Sequence, residues 1–381
     1  MTQFISIDQV AVSNKTILVR LDLNLPIQDQ WITDDTRIQR SLKTLKYLID
    51  QNAKVIILSH LGRPTGKIKS ELSLAPIARL LKSYLNCPIL FSNDCIGDAP
   101  KTAIRHAPFG SIIMLENLRF HPGEETNDPE FAQQLSALGD IYINDAFSCS
   151  HRAHASVVGL AKLLPSAAGF GMIDEVNALS SVLTTPTRPV MAIVGGSKVS
   201  TKLDLLLNLI KKVDYLVLGG GMANTFMLAQ GHNIGESLVE PDLVSMAKTI
   251  ISQADLNYCQ LILPIDYQSS KGPLKIMDIG PKSGENIKSI LNICKTVVWN
   301  GPVGVFEIPP FDQGSVDLAQ HISHLTKSGN IISVAGGGDT IACLAKAGVD
   351  NDFTYTSTAG GAFLEWLEGK DLPGIRVLYK D

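Results

Sequence analysis

The sequence lacks several patterns that define well-known classes of protein. Its cysteines contain no C-x-x-C pair, and they lie far apart at Cys87, Cys95, Cys149, Cys259, Cys294 and Cys343. This spacing favours reduced thiols in a cytoplasmic protein over a disulfide framework or a zinc site. Neither G-x-x-x-x-G-K-[ST] nor H-E-x-x-H occurs, which excludes an ordinary P-loop nucleotide site and a zinc protease.

A strong excess of one charge is also missing, because the net charge of the 381 residues is only −4. Nucleic-acid binders normally carry a basic stripe, so we expect no nucleic-acid partner. Residues 215–235 are uncharged and long enough for a membrane span, but the run Gly219–Gly221, Asn224 and Gln230 interrupt them, so we expect no membrane segment. The amino terminus has no basic region followed by a long apolar run, so we expect no signal peptide.

The length and the order of apolar runs predict two domains of the α/β class. A chain of 381 residues is too long to form a single domain with one hydrophobic core. Short runs rich in β-branched residues alternate with segments of helical periodicity. The runs lie at residues 16–21, 55–58, 112–115, 141–143, 190–194, 215–218, 261–263, 296–299 and 331–334. The main helical periods lie at residues 36–51, 76–85, 172–183, 200–211 and 311–327. This alternation predicts parallel sheets wound by helices, with domains at 1–168 and 188–371 and a connecting hinge helix at 169–187.

Arginine is concentrated in the first domain. Eight of the ten arginines precede residue 186, and guanidinium groups bind phosphate and carboxylate oxygens through two parallel hydrogen bonds. Several polar residues directly follow predicted strands, and Arg37 begins the next helix, which Asp34 or Asp35 can cap. The residues expected at this edge are Asp22, Asn24, Arg37, His60, Arg63, Arg119 and Arg152. Because the carboxyl ends of parallel strands meet at one edge, they predict a site for a small anion.

Glycine is concentrated in the second half of the chain, since 22 of the 31 glycines follow residue 185. Glycine-rich loops follow four predicted strands, at residues 195–202, 219–221, 300–307 and 336–340. The first loop would place Lys198 and Lys202 one turn apart at a helix start, and Asp339 offers the hard oxygen ligand that Mg²⁺ prefers. Exposed amides at helix starts bind phosphate, so these loops predict a nucleotide site. A dinucleotide dehydrogenase is disfavoured because Asn224 and Ile341 replace the third glycine of G-x-G-x-x-G.

Eleven segments in chain order resemble those of the phosphoglycerate kinase family, from residue 19 to residue 375. The segments are residues 19–24, 34–38, 59–64, 115–121, 144–156, 195–202, 219–223, 278–281, 299–307, 336–340 and 367–375, counting the two parts of 144–156 as one. The resemblance implies two Rossmann-like domains joined by a hinge, and closure of the domains during catalysis. It also implies reversible transfer of the acyl phosphate of 1,3-bisphosphoglycerate to Mg-ADP, which gives 3-phosphoglycerate and ATP. We further expect a monomer, with residues 372–381 packed back on the first domain.

The resemblance also implies roles for individual residues. Those expected to bind phosphoglycerate are Asp22, Leu23, Asn24, Arg37, His60, Leu61, Gly62, Arg63, Arg119 and Arg152. Those expected to bind the nucleotide are Gly195, Lys202, Gly219, Gly220, Asn300, Glu307, Gly337, Gly338, Asp339 and Thr340, with Glu307 at the ribose and Asp339 as the ligand of Mg²⁺. Those expected to surround the migrating group are Arg37, Lys198, Gly338 and Gly361.

Three departures from the family pattern affect these expectations. Ala359 stands where the family usually has glycine, and residues 148–150 read Ser-Cys-Ser instead of Gly-Thr-Ala. The segment between Asp266 and Asp278 is shorter than usual. No charged or metal-binding residue is lost, which disfavours a non-catalytic nucleotide-binding scaffold. Cys149 lies among the motif residues, and both a nucleophile and a bystander thiol are open interpretations of it.

Overall fold

The computed structural model describes residues 4–28 and 31–379, with the side chains of Gln28 and Trp31 left aside. Lys380 and Asp381, which end the predicted C-terminal segment, lie outside the described residues, as do residues 1–3. The chain divides into two compact units. One reaches Val176 and resumes at Asp371, and the other is Asn177–Lys370.

The first unit is built on a sheet of six parallel strands. In chain order they are β1 (Thr16–Arg20), β2 (Lys54–Leu58), β3 (Ile89–Phe91), β4 (Ile112–Met114), β5 (Ile141–Asn144) and β6 (Ser166–Ala168). Their order across the sheet is β3-β4-β2-β1-β5-β6, and every pair is parallel. From β1 the chain continues to strands on one side of the sheet, and β5 is later added on the other side. The loops after β1 and β5 therefore flank the position where ligands bind in such sheets.

Both faces of this sheet are covered, which explains why its strands are almost continuously apolar. Successive side chains of a strand point to opposite faces. Val19 and Ile57 therefore belong to one core with the helix Thr36–Asp50, whereas Leu18 and Ile56 belong to another with the helix Pro129–Ser136. The remaining helices of this unit are Ala75–Leu81, Asp98–His106, Pro122–Glu125, the π-helical Ala155–Gly159 that continues into Leu160–Leu163, and Pro373–Arg376, with 3-10 turns at Ile7–Gln9, Ser70–Leu72, Leu118–Phe120 and Phe147–Cys149.

The second unit repeats the architecture with a different strand order. Its strands are β7 (Val190–Val194), β8 (Tyr215–Leu218), β9 (Gln260–Ile262), β10 (Thr296–Asn300), β11 (Ile332–Gly336) and β12 (Tyr355–Ser357). They lie in the order β9-β8-β7-β10-β11-β12, all parallel, so the reversal falls between β7 and β10. Its helices are Leu203–Leu209, Gly220–Ala229, Val244–Leu256, Pro281–Leu291, Gln313–Lys327, Gly338–Lys346 and Gly361–Leu367, with a 3-10 turn at Pro241–Leu243.

Two short hairpins complete the description. Ile27–Gln28 pairs with Trp31–Ile32, and Tyr267–Ser269 pairs with Ile276–Ile279, each antiparallel. The second hairpin lies in the segment between Asp266 and Asp278 that the sequence shows to be shortened. No helix within the described ranges combines the length and the apolar character needed to cross a bilayer.

The predicted α/β class with parallel sheets is confirmed, and all nine predicted strands are present. Within the two six-stranded sheets, the apolar runs missed β3, β6 and β12, which all lie at sheet edges and are three residues long. So short a segment shows too little periodicity to be distinguished from a loop. The predicted helix at 200–211 is wrong at its start, because the helix begins at Leu203. Glu240 holds the backbone and side chain of Ser200 in the preceding loop.

Aspartates fix the first turns of two helices, Thr36–Asp50 and Phe170–Leu183. Asp34, one of the two predicted caps, accepts hydrogen bonds from the backbone (2.9 Å) and hydroxyl (2.6 Å) of Thr36. The helix Phe170–Leu183 begins against Asp145, which accepts a 2.8 Å hydrogen bond from the Met172 amide and another from the Thr44 hydroxyl. The Phe170 amide donates to that same hydroxyl at 3.0 Å. A buried carboxylate therefore organises the first turn of this helix.

Replacement of Asp145 tests that role. Burial raises the pKa of Asp145 to about 7, and its Oδ2 atom has no hydrogen-bond partner. The folded protein therefore binds a proton that the unfolded chain releases near pH 4, so this group stabilises less as the pH rises from about 4 to about 7. We expect Asp145→Asn, which keeps the acceptor oxygen, to gain stability relative to the natural chain across that interval. Urea unfolding at several pH values measures the difference.

The matched variant Asp145→Ala removes the acceptor as well as the charge. At about pH 5 it is expected to lose about 1–2 kcal/mol of unfolding free energy, the usual cost of deleting a cap. A pH-independent difference between Asp145→Asn and the natural chain would contradict the assignment of a protonated, buried carboxyl group.

Candidate functional site

In the first unit, the loops after β1 and β2 are joined by a network centred on Asp22. Nη1 of Arg37 donates to the Asp22 carboxylate at 2.9 Å and to the carbonyl of Asn24 at 3.0 Å. The side-chain oxygen of Asn24 accepts a 2.8 Å hydrogen bond from the amide of Gly62, and Ser148 donates to the second Asp22 oxygen. Four predicted residues thus lie together, and the altered loop at 148–150 supplies a donor to them.

Arg119 enters the same network from the loop after β4. Its Nη1 donates to the carbonyl of Gly62 at 2.9 Å, and its Nε lies 3.2 Å from Glu125. Leu23 and Leu61, also predicted to bind substrate, have buried side chains that belong to the core beneath the loops. Neither leucine offers its side chain to a ligand, and the amide of Leu23 already donates to the hydroxyl of Ser59 at 3.0 Å.

His60 lies in the middle of a positive field. Burial lowers its pKa well below the usual value, and the charges of Arg20, Arg119 and Arg37 lower it further. The neighbouring His154 has its pKa lowered to about 4 by burial and then by Arg119, Arg20 and Arg152. Both rings are therefore neutral at pH 7, and the positive charge of this edge resides on guanidinium groups.

Arg63 and Arg152 differ from the other predicted arginines. Both are exposed, and neither guanidinium makes a hydrogen bond or ion pair with the residues that the structure describes. Arg152 nevertheless acts electrostatically on His154, so it belongs to the same cluster. The structure gives no comparable link for Arg63. These two side chains are free to move onto an anion, whereas Arg37 and Arg119 are already held in place.

Cys149 is buried at the base of this edge. Burial raises its pKa, which disfavours the thiolate that a nucleophile requires and supports the bystander interpretation. Ligand atoms of Asp22, His60 and Cys149 lie within 4.8 Å of one another, a spacing that could hold a metal ion. The surrounding guanidinium charges repel a cation, so an anion is the better ligand here.

Arg20 and Glu124 are functional candidates that the sequence interpretation missed. Arg20 is completely buried at the end of β1 and contacts His60, and Glu124 is completely buried behind it. Arg20 lies inside the apolar run at residues 16–21. A charged residue within such a run indicates a functional or structural role, because a buried charge needs partners.

In the second unit, the loops after β7 and β10 touch. The amide of Gly195 donates to the carbonyl of Asn300 at 3.0 Å, and a Cβ atom on Gly195 would overlap the carbonyl oxygen of Pro302. Gly301 has a φ of +99°, in the left-handed region that favours glycine. The backbone approach at the strand-order reversal therefore requires glycine on both sides.

Lys202 connects these two loops through hydrogen bonds. Its Nζ atom donates to the carbonyl of Gly195 (2.6 Å) and to Oδ1 of Asn300 (2.6 Å). Burial lowers the pKa of Lys202 to about 8, and the charge of Asp339 opposes that effect. Thr340 extends the network, because its hydroxyl accepts a 2.7 Å hydrogen bond from the amide of Gly301.

A cleft of about 700 Å³ opens beside this junction. Of the predicted nucleotide residues, it is lined by Gly195, Lys202, Gly220, Glu307 and Asp339. Asn300, Gly219, Gly337 and Thr340 do not line it and support its loops instead. Gly338 and Gly361 are exposed first residues of the helices Gly338–Lys346 and Gly361–Leu367. The apolar wall includes Leu238, Ile276 and Val305, which lie on three separate segments of the chain and were not assigned to the site from the sequence.

Two expectations about this unit need correction or completion. Lys198 does not stand at a helix start, because the helix begins at Leu203, and its exposed side chain does not line the cleft. Ala359 is buried and does not have a positive φ, and Gly360 takes the left-handed conformation at +54°. The extra methyl group therefore fits the loop without strain.

The features of the two units are those of an α/β enzyme that acts on phosphorylated small molecules. One unit concentrates guanidinium groups at the carboxyl edge of its sheet, and the other has glycine-rich loops, a lysine and a free aspartate around a cleft. Both arrangements suit anionic ligands, the second through backbone amides.

Comparison with known proteins places the chain in one family. The phosphoglycerate kinase family model matches residues 7–370, so the chain belongs to the phosphoglycerate kinase family, a family of transferase enzymes. It is 50% identical to the phosphoglycerate kinase of Rhodospirillum centenum, over 98% of this chain and 99% of that protein. It is also 50% identical to that of Agrobacterium fabrum, over 99% of both.

Solved structures give the same answer. The phosphoglycerate kinase of Coxiella burnetii is 42% identical and superimposes with a TM-score of 0.90, covering 98% of each chain. That of Pyrococcus horikoshii is 31% identical with a TM-score of 0.82, again over 98% of each chain. The family membership predicted from the eleven sequence segments is thereby confirmed.

The contact between the loops after β7 and β10 can be tested with a matched pair of glycine variants. We expect Gly195→Ala to lose about 3 kcal/mol or more of unfolding free energy, because its methyl group meets backbone that cannot rotate away. Gly338→Ala should stay within about 0.5 kcal/mol of the natural chain, because nothing lies within 4 Å of the added carbon. Urea unfolding measures both, and equal stabilities would contradict the tight approach at Gly195.

Proposed function

We propose that this chain catalyses the reversible transfer of a phosphoryl group from 1,3-bisphosphoglycerate to ADP, giving 3-phosphoglycerate and ATP. The observation that carries the proposal is the presence, in one chain of this family, of an arginine cluster on one sheet and a glycine-lined cleft on the other. A chain that only bound nucleotide would not need the arginine cluster.

The first unit is proposed to bind phosphoglycerate. Arg37 and Arg119 are held by Asp22 and Gly62, so their positions are set before a ligand arrives. Arg63 and Arg152 are exposed and can close on the anion. His60 and Asn24 would complete the site, and Leu23, Leu61 and Gly62 are assigned the support of its loops, because the amides of Leu23 and Gly62 already donate to Ser59 and Asn24. Fixed guanidinium groups lower the entropy cost of binding, because less side-chain freedom is lost.

The second unit is proposed to bind ADP and ATP. Lys202, Asp339 and Glu307 line the cleft with Gly195 and Gly220, and Glu307 is assigned to the ribose. The helix starting at Gly338 presents free amides that suit phosphate oxygens. The apolar wall of the cleft suits the base. Gly219, Asn300, Gly337 and Thr340 are assigned the support of these loops.

Mg²⁺ is the cofactor we propose, and Asp339 is the residue that would hold it. The Asp339 carboxylate is exposed and makes no hydrogen bond or ion pair with the described residues, so its hard oxygens are available to a cation. The space beside Gly338 is open as well. When bound, Mg²⁺ would neutralise charge on the nucleotide phosphates.

The chemical step needs alignment and charge stabilisation and no covalent catalysis. The bond between phosphorus and the acyl oxygen breaks, and a bond forms between phosphorus and an oxygen of the ADP β-phosphate. The attacking oxygen is already anionic, so no general base is required. We assign the stabilisation of the migrating group to Arg37, Lys198 and the amides around Gly338 and Gly361. A monomer, a cytoplasmic location and hinge closure about residues 169–187 stay predictions.

A coupled assay tests the activity directly. Formation of ATP from 1,3-bisphosphoglycerate and Mg-ADP should be saturable in both substrates. Titration calorimetry with ADP and with NAD separates this proposal from a dehydrogenase, which would bind the dinucleotide more tightly. Nucleotide binding without any ATP formation would instead support the non-catalytic scaffold and contradict the proposal.

Arg37 is predicted to act mainly in the transition state. Arg37→Ala should lower kcat by about 100-fold or more, as the loss of one preorganised donor does, and should leave ADP affinity almost unchanged. Arg105→Ala is the matched control, because Arg105 is exposed near the end of a helix that leads into the amino end of β4. Steady-state kinetics with calorimetry measures both effects, and a normal kcat in Arg37→Ala would refute the role.

Asp339 is predicted to set the dependence on magnesium. Asp339→Asn keeps the shape of the side chain but removes its charge, so the Mg²⁺ concentration for half-maximal activity should rise by about 10-fold or more. Asp350→Asn, near the far end of the same helix, should leave it unchanged. The rate of ATP formation across a magnesium titration gives the result. An unaltered magnesium curve for Asp339→Asn would remove this assignment.

A further inference from the structure

A buried chain of hydrogen bonds ends at His60. The carboxylate of Glu124 accepts a 2.6 Å hydrogen bond from the hydroxyl of Ser156, and that oxygen accepts a 2.8 Å hydrogen bond from Nε of Arg20. Nη2 of Arg20 lies 3.1 Å from Nδ1 of His60. Glu124, Ser156 and Arg20 are completely buried, and His60 is nearly so.

The hydrogen bonds in this series can run in only one direction. A guanidinium group has donors and no acceptor, and an ionised carboxylate has acceptors and no donor. The hydroxyl of Ser156 therefore donates its hydrogen bond to the Glu124 carboxylate, and its oxygen accepts the Nε–H of Arg20. By the same reasoning, Nδ1 of His60 must accept from Arg20 and cannot carry a hydrogen.

Further contacts hold each member of the chain in place. The second oxygen of Glu124 accepts the backbone amide of Ser156 at 2.9 Å, and Nη1 of Arg20 donates to the carbonyl of Leu21 at 2.5 Å. Tyr142 donates to the carbonyl of Ser156 at 2.6 Å. Because Arg20 has a partner on each of its three nitrogens, it cannot turn away from the ring.

We infer that Arg20, which Ser156 and Glu124 help to hold in place, fixes His60 as the Nε2–H tautomer, so that His60 donates a hydrogen bond to an oxygen of phosphoglycerate and does not act as a general base. No described residue forms a hydrogen bond with Nε2, which leaves that atom for a ligand. Arg20 is thus a positioning residue that acts through His60. The inference has a ligand half, the hydrogen bond to phosphoglycerate, which rests on the proposed function. Its tautomer half, the position of the hydrogen on the His60 ring, does not.

The state of the ring agrees with this assignment. Burial and three nearby guanidinium groups lower the pKa of His60, so the ring does not take a second proton at neutral pH. A neutral ring whose Nδ1 is occupied has only Nε2–H to offer. A fixed neutral donor adds directionality where the arginines already supply the charge.

Nitrogen NMR of the full chain labelled with ¹⁵N-histidine tests the tautomer without any substrate. Near pH 7 we expect His60 to show a protonated Nε2 and an unprotonated Nδ1, with His60→Gln identifying the signal. Arg20→Met should give a mixture of tautomers. Ser156→Ala is the matched control, since Arg20 still faces Nδ1 and the tautomer should persist. A protonated Nδ1 in the natural chain overturns the inference, even if Arg20→Met does not fold.

Kinetics test the ligand half. The amide of His60→Gln can place a donor near the position of Nε2, whereas that of His60→Asn reaches only the position of Nδ1. We expect KM for 3-phosphoglycerate to rise about 3-fold or less for Gln and about 10-fold or more for Asn, with smaller changes in kcat. A loss of kcat of about 1000-fold in both variants would instead identify a general base and overturn it. An inactive natural chain with the expected tautomer would contradict the proposed function alone.

Discussion

Every functional feature of this protein depends on the requirement that parallel strands be joined by crossover connections. A crossover returns the chain to the same end of the sheet, so all the loops that leave the carboxyl ends lie at one edge. In the first unit this brings residues 22, 60, 119 and 152, which are far apart in the chain, into one electrostatic cluster. In the second it brings Gly195, Asn300 and Thr340 into one hydrogen-bonded junction.

The two units use different chemistry for anions, and the difference follows from which groups carry the charge. Guanidinium groups in the first unit provide full charges whose mutual repulsion has to be offset, and carboxylates do this at Asp22, Glu124 and Glu125. The second unit relies on backbone amides and helix starts, so close approach of the backbone matters more than charge. This explains why arginine is concentrated in one half of the chain and glycine in the other.

Much of both sites could be predicted from the sequence because the relevant residues come directly after strands. Asp22, Arg119 and Asp339 are recognisable without coordinates, since the strand pattern places them at a sheet edge. Arg20 was not recognised, because inside an apolar run nothing local shows which partners bury its charge. The helix start at Leu203 was also missed, because Glu240, forty residues away from Ser200, holds the preceding loop.

The alternation of apolar runs and helical periods determined the α/β class, and the ordered loop motifs determined the family. Both are local properties, since side-chain periodicity and motif spacing act within a few residues. Only the tertiary structure decided the strand order, the edge strands, the loss of Lys198 from a helix start and the direction of the hydrogen bonds that lead to His60. Those features depend on contacts between residues that are distant in the chain, such as Ser200 with Glu240 and Arg20 with Ser156, and a local pattern carries no record of such contacts.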